Sequence, residues 1–66
     1  MKYKFLQLFD GHKVEVDEFF YGVEPCHSVE RIELLEGDDG WDYVAYFVDG
    51  GSLSIPKTSV IFAHAA

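Results

Sequence analysis

The chain has 66 residues, a formal net charge of −7 and one cysteine. A domain of this length buries only about 60% of the surface that its unfolded chain exposes, so it needs a dense core or an oligomeric partner. The single cysteine excludes an internal disulfide and is typical of a reducing compartment. The acidic charge disfavours direct binding to nucleic acids or anionic membranes and favours a basic partner.

Several classes of site lack their sequence signals. One cysteine and three scattered histidines give no zinc-ligand spacing, and we expect no metal and no cofactor. We find no nucleophile–base pattern and no phosphate-binding glycine motif, so we predict a protein that is not an enzyme and has no catalytic residues. A signal-peptide pattern and an apolar run of roughly 20 residues are also lacking, which predicts a soluble, cytoplasmic protein.

The first predicted hairpin joins strands at Tyr3–Phe9 and Val14–Phe20. Asp10-Gly11 lies between them and is a strong signal for a tight hairpin loop. With a loop of two or four residues, alternation brings one apolar set onto a single face. That set is Tyr3, Phe5, Phe9, Val14 and Val16. Leu6 and Leu8 then fall on the opposite face, where they need cover from barrel closure or from another subunit.

The middle of the chain contains a loop and an ambiguous segment. Gly22 and Pro25 interrupt the second strand, so Val23–Ser28 is predicted as a loop. Ser28–Glu36 fits a helix capped by Ser28, and it also fits a strand with alternating apolar and charged residues. We favour the strand because the segment is short for a helix.

The strongest strand signal is Trp41–Val48, which is rich in aromatic and β-branched residues. Turns are predicted on either side of it, at Glu36–Gly40 and at Asp49–Gly51. Ser52–Ile55 follows as a strand in which Leu53 and Ile55 point inward.

The chain then closes with a proline break, a tight turn and a last strand. Pro56 cannot donate a ladder hydrogen bond, Lys57–Ser59 has room for one 3₁₀ turn, and Val60–His64 is the last strand. Short apolar runs separated by turns predict an all-β fold. We expect a single small domain over residues 1–66, a five-stranded antiparallel barrel or a strongly bent sheet.

The length of the loop near Asp49 decides which face of the long strand is the core. With a two-residue loop, the inward set is Val44, Tyr46 and Val48. The outward set is then the aromatic row Trp41, Tyr43 and Phe47. A three-residue loop with a bulge reverses both sets, because a slip of one residue moves every side chain to the other face. Two-residue loops are the commonest, so we predict an exposed aromatic row. The alternative is that the strand bends sharply and a small closed barrel covers both of its faces.

The stretch from Tyr43 to Gly50, with Leu53-Ser-Ile55 and Val60, resembles the C-terminal hairpin of Tudor-type domains. The segment from Ile55 to Val60 is similar to the 3₁₀ link before the last strand of SH3-like barrels. The resemblance implies an SH3-like barrel that binds peptides, or methylated basic side chains held in an aromatic cage by cation–π attraction. The nearest cage candidates are Trp41, Tyr43, Phe47 and Asp49.

The residues predict a non-enzymatic interaction module for a basic protein or peptide, or for a second copy of the chain. Aromatic anchors with a charged rim are typical of protein interfaces. The predicted partner-binding residues are Trp41, Tyr43, Phe47, Asp49, Glu36, Asp38, Asp39 and Asp42.

The alternative is an acidic decoy inhibitor of the anti-defence type that phages encode. Its carboxylates would occupy the nucleic-acid site of a basic enzyme and give fast, salt-sensitive association. The candidate residues are Glu30, Glu33, Glu36, Asp38, Asp39 and Asp42.

Overall fold

The computed structural model describes residues 2–20, 27–37 and 40–66, and these residues form one antiparallel sheet of seven short strands. The strands are β1 (Lys2–Leu8), β2 (Lys13–Glu15), β3 (Phe19–Phe20), β4 (His27–Gly37), β5 (Gly40–Phe47), β6 (Ser52–Pro56) and β7 (Val60–Ala65), with a 3₁₀ turn at Lys57–Ser59. The sheet order is β2-β1-β4-β5-β6, with β7 also paired to β1 and β3 to β4. The sheet curls into a half-barrel, and the all-β prediction is confirmed.

Most predicted elements are confirmed. Ser28–Glu36 is a strand within β4, and the 3₁₀ turn lies at the predicted residues. Residues 21–26, where most of the predicted loop Val23–Ser28 falls, lie outside the described residues, while its last two residues, His27 and Ser28, belong to β4. The described residues contain no helix of the length and hydrophobicity that crossing a bilayer requires.

The predicted strand Val14–Phe20 is divided at Asp17. This residue has a φ of 72°, a left-handed conformation that few side chains adopt. Its amide donates to the carbonyl of Val29 at 2.8 Å, and the amide of Val29 donates to Glu18 at 3.0 Å. The chain therefore leaves its pairing with β1 and pairs with β4, and one predicted strand becomes β2 and β3.

One cluster of ten buried apolar side chains forms the core of the described structure. Its members are Leu6, Leu8, Val14, Phe20, Val29, Ile32, Tyr43, Ala45, Phe47 and Ile55. Strands β1 to β6 each contribute, and Val60 and Ala63 of β7 pack against the cluster. Full burial of an aliphatic or aromatic side chain contributes about 1.5–3 kcal/mol, so this cluster is the main source of stability.

The first hairpin has a three-residue loop, Phe9-Asp10-Gly11, and the predicted faces of its strands are wrong. The amide of Leu8 donates to the carbonyl of His12 at 2.9 Å, and the amide of Gly11 donates to Leu8 at 3.2 Å. Gly11 has a φ of 94°, as the bulge position of such a loop requires.

This loop brings Leu6 opposite Val14, so that Leu6, Leu8 and Val14 face the core. Phe5 lies opposite Glu15 on the outer face, and Phe9 is exposed. The cover that Leu6 and Leu8 require therefore comes from the chain's own core.

Tyr3 nevertheless packs against the core, as an irregularity in β1 explains. The pairing of β1 with β7 shifts register between Tyr3 and Phe5. The bulge lets Tyr3 face the same way as Leu6, three residues later.

The second hairpin also has a three-residue loop, Val48-Asp49-Gly50, and the predicted two-residue register is wrong. The amide of Phe47 donates to the carbonyl of Gly51 at 2.8 Å, and Gly50 donates back to Phe47 at 3.1 Å. Gly50 has a φ of 97°.

Tyr43 consequently lies opposite Ile55, and Ala45 lies opposite Leu53. Leu53 and Ile55 point inward as predicted, so the odd-numbered face of β5 is the core face. Tyr43 and Phe47 are buried there, whereas Val48, predicted as core, is exposed.

Candidate interaction surfaces

The predicted aromatic row does not form an exposed surface, because only Trp41 of its three rings reaches solvent. Trp41 is 46% exposed, while Tyr43 and Phe47 are each 5% exposed. The ring of Tyr3 packs edge-on against Tyr43, with 5.1 Å between the ring centroids.

Tyr43 has the chemistry of a buried phenol. Its pKa is raised above the ordinary tyrosine value, first by burial and then by the neighbouring Tyr3. Asp49 follows the far end of β5, roughly 20 Å from Trp41 at about 3.3 Å per strand residue. Trp41, Tyr43, Phe47 and Asp49 therefore do not converge on one point, and the cage implied by the Tudor resemblance is not formed by them.

Trp41 lies at a corner of the sheet where strands begin and end. Gly40, with a φ of 124°, pairs with Gly37 and starts β5, so Trp41 comes opposite Glu36 of β4. On the other side of β5, Asp42 lies opposite Pro56, where β6 ends. Tyr43 is the core residue of β5 nearest this corner, so the side chain of Trp41 lies beyond the core and is about half exposed.

A shallow cleft opens at this corner, and we refer to it as the Trp41 cleft. It is lined by Gly40, Trp41, Asp42, Pro56, Lys57 and Thr58. The hydroxyl of Ser54 lies 3.5 Å from a carboxylate oxygen of Asp42, a long hydrogen bond. Its lining residues include an indole, a proline ring, the Asp42 carboxylate and the Lys57 ammonium, so the cleft combines apolar surface with one group of each charge.

The predicted acidic residues divide into groups. Asp42 lines the Trp41 cleft, and Glu36 is exposed opposite Trp41. Asp38 and Asp39 lie outside the described residues. Glu30 and Glu33, farther along β4, lie 3.3 and 3.7 Å from the guanidinium of Arg31.

Arg31 itself stacks on the ring of its cross-strand neighbour Tyr46, with 4.0 Å from the guanidinium carbon to the ring centroid. This cation–π contact holds a positive charge between Glu30 and Glu33. The continuous acidic run in the sequence is therefore interrupted on the folded surface.

A second surface was missed by the sequence reasoning and lies on the outer face of β1 and β7. We call it the phenylalanine face, and its residues are Phe5, Phe9, Ile61 and Phe62. Phe62 lies opposite Gln7, so Phe5 is its diagonal neighbour on β1, and Phe9 follows the end of that strand in the hairpin loop. Phe9, Ile61 and Phe62 are 69%, 57% and 52% exposed. A prediction of three residues for the first hairpin loop would have placed Phe5 on the outer face.

The first hairpin loop carries the closest ion pair among the described residues. Nδ1 of His12 lies 2.8 Å from Asp10, and the His12 ring stands edge-on to Phe20. Hydrogen bonds from the His12 side chain and then from its backbone lower the pKa of Asp10. Both side chains are exposed, and a metal-binding group of three or more His, Cys, Asp or Glu residues does not occur in the described parts of the chain.

Comparison with known proteins gives no family to which the chain can be assigned. No protein-family model, curated protein or solved structure matches it. Function therefore has to be inferred from the chain's own surfaces.

Proposed function

We propose that this chain is a non-enzymatic interaction module that binds a basic, extended segment of another protein at the Trp41 cleft. The observation that carries the proposal is a half-exposed tryptophan that lines one cleft with Pro56 and Asp42 at the corner of the sheet. Tryptophan is strongly enriched among the residues that dominate binding energy at protein interfaces.

Two acidic residues at or beside the cleft, Asp42 and Glu36, outnumber its one basic residue, Lys57, so the cleft can hold a lysine or arginine side chain. The apolar stem would pack on the indole of Trp41, and the charge would lie near Asp42 and Glu36. A cation over an exposed indole gains about 0.5–1 kcal/mol, so several such contacts are needed for useful affinity. The net charge of −7 speeds the encounter with a basic partner.

Two further features support this proposal. The 3₁₀ turn between β6 and β7 lies where the resemblance to SH3-like barrels expects one, and aromatic grooves of such barrels bind extended peptides. The single cysteine favours a reducing location, and we place the protein in the cytoplasm.

Selection from a random-peptide display library tests the proposal without knowledge of the partner. We expect the wild-type chain to enrich peptides rich in Lys or Arg and Trp41→Ala to lose them. Phe62→Ala is the matched control, because Phe62 is a similarly exposed ring outside the cleft. Failure to enrich peptides, or enrichment that survives Trp41→Ala, would refute the proposal.

Trp41 also provides a direct signal, since it is the only tryptophan in the chain. Its fluorescence should shift on titration with a selected basic peptide and stay constant with a version of that peptide in which Glu replaces the basic residues. Peptide binding seen by calorimetry without a change in Trp41 emission would place the site elsewhere.

The salt dependence of the same titration separates this function from the decoy. A decoy that places carboxylates where phosphates sit should lose affinity steeply as ionic strength rises. Binding that rests on the indole should weaken less. Because Arg31 neutralises part of the Glu30 and Glu33 charge, we expect the weaker salt dependence.

A further inference from the structure

β7 is an edge strand with little to protect it from pairing with another strand. Among the described residues it pairs only with β1. Such an edge presents a row of unpaired N–H and C=O groups, which natural proteins usually guard with charges, prolines or bulges. β7 contains no proline, and only residues 62–64 are in continuous register with β1.

The charge pattern singles out this strand as a contact between copies of the chain. Two molecules that each carry a net charge of −7 repel one another, so they can associate only where carboxylates are few. Residues 60–66 include no Asp, Glu, Lys or Arg. This strand offers no carboxylate to attract a basic partner. A second copy of β7 can approach it without repulsion between like-charged side chains.

The side chains beside the edge add apolar area to this contact. Ile61 and Phe62 are exposed, and the Phe62 ring lies edge-on to His64 with 5.7 Å between centroids. Phe9 is close by, because its amide donates to Ser59 at 3.1 Å. Exposed apolar patches of this kind mark interaction sites, and a chain of 66 residues gains stability from association.

We propose that two copies of the chain pair through antiparallel contact of their β7 strands, which joins the two sheets across a two-fold axis. The same strand then forms both halves of the contact, as a symmetric dimer requires. The phenylalanine faces of the two copies lie side by side and cover Ile61 and Phe62. The dimer does not depend on the Trp41 cleft being a peptide site.

Sedimentation equilibrium over a range of concentrations tests the dimer. We expect a mass that falls from dimer to monomer on dilution, and Phe62→Lys should weaken association at least about tenfold, because a lysine would be desolvated at the contact. Val48→Lys is the matched control, since it makes the same charge change at a similarly exposed position in the second hairpin loop. Trp41→Ala should dimerise as the wild type does.

Hydrogen exchange of the wild-type chain gives a second measurement that needs no variant. Amides of β7 should gain protection as concentration rises, while those of the β5–β6 hairpin should not. A wild-type monomer at all concentrations, equal association of Phe62→Lys and Val48→Lys, or concentration-independent protection of β7 would each overturn the proposal. None of these outcomes would contradict peptide binding at the Trp41 cleft.

Discussion

The two Asp-Gly hairpins have the same loop geometry, yet the second buries its phenylalanine, Phe47, while the first exposes Phe9. In each, an apolar residue opens a three-residue loop, a glycine with φ near 95° closes it, and an Asp side chain accepts a hydrogen bond from the amide two residues on. In each, the residue just before the loop, Leu8 or Phe47, faces the core.

The difference lies in the spacing between the aromatic residues and the loop. In β5, Phe47 is the last inward position before the loop, and Tyr43, four residues earlier, points to the same face, so both rings are buried. In the first hairpin, Phe5 and Phe9 stand at odd distances from Leu8, the last inward position, and therefore point outward. Leu6 and Leu8 take the core positions instead. Position relative to the loop, and not side-chain size, decides which rings a partner can reach.

The largest expected effect is the contrast between Phe47→Ala and Phe9→Ala, the same change at a buried and an exposed ring. Phe47→Ala should destabilise the fold by about 3–5 kcal/mol, because it leaves a cavity in the core. Phe9→Ala should change stability by less than about 0.5 kcal/mol. Urea unfolding at a concentration where the chain is monomeric measures both.

If Phe47→Ala lowers the free energy of unfolding only slightly and Phe9→Ala lowers it strongly, the faces predicted from two-residue loops are correct. Equal losses would mean that the phenylalanine face is covered within the monomer.

The similarity of the two loops has its own test, Gly11→Ala against Gly50→Ala. Apart from the adjoining residues of the chain, no atom lies within 4 Å of a Cβ at either position, so the cost should come from the positive φ alone. Alanine in this conformation costs about 1–2 kcal/mol, and we expect nearly equal losses of stability.

Asparagine tolerates positive φ better than alanine and is the control at both sites. If the losses of unfolding free energy in the two alanine variants differ by more than the mean of the two losses, the two loops are not equivalent. The shared explanation for the two reversed faces would then be wrong.

Strand positions were predictable because their signals are local. Aromatic and β-branched runs favoured strands, Asp-Gly marked both turns, and Pro56 placed the 3₁₀ turn. The faces were not predictable, because Asp-Gly fits a loop of two residues and also the last two positions of a three-residue loop. The bulge near Lys4 and the positive φ of Asp17 have no clear sequence signal.

The candidate site was predictable to a similar extent. Trp41, Glu36 and Asp42 were expected to act together, and the structure brings them to one corner. Pro56 joins them only through the register of β5 with β6, which depends on the loop length. The phenylalanine face was hidden by the same one-residue error in the first hairpin.

The smallest expected effect concerns the first hairpin loop, where Asp10 accepts hydrogen bonds from His12. His12 lowers the pKa of Asp10, so this pair stabilises the folded state above the ordinary Asp pKa, and the contribution is lost as pH falls through the lowered value. In His12→Gln the Asp10 pKa should rise towards its ordinary value. An NMR titration of the Asp10 carboxyl measures it, and Lys13→Gln, which removes a neighbouring charge outside the pair, is the control. An unchanged Asp10 pKa in His12→Gln would mean that the loop backbone alone holds the Asp10 side chain.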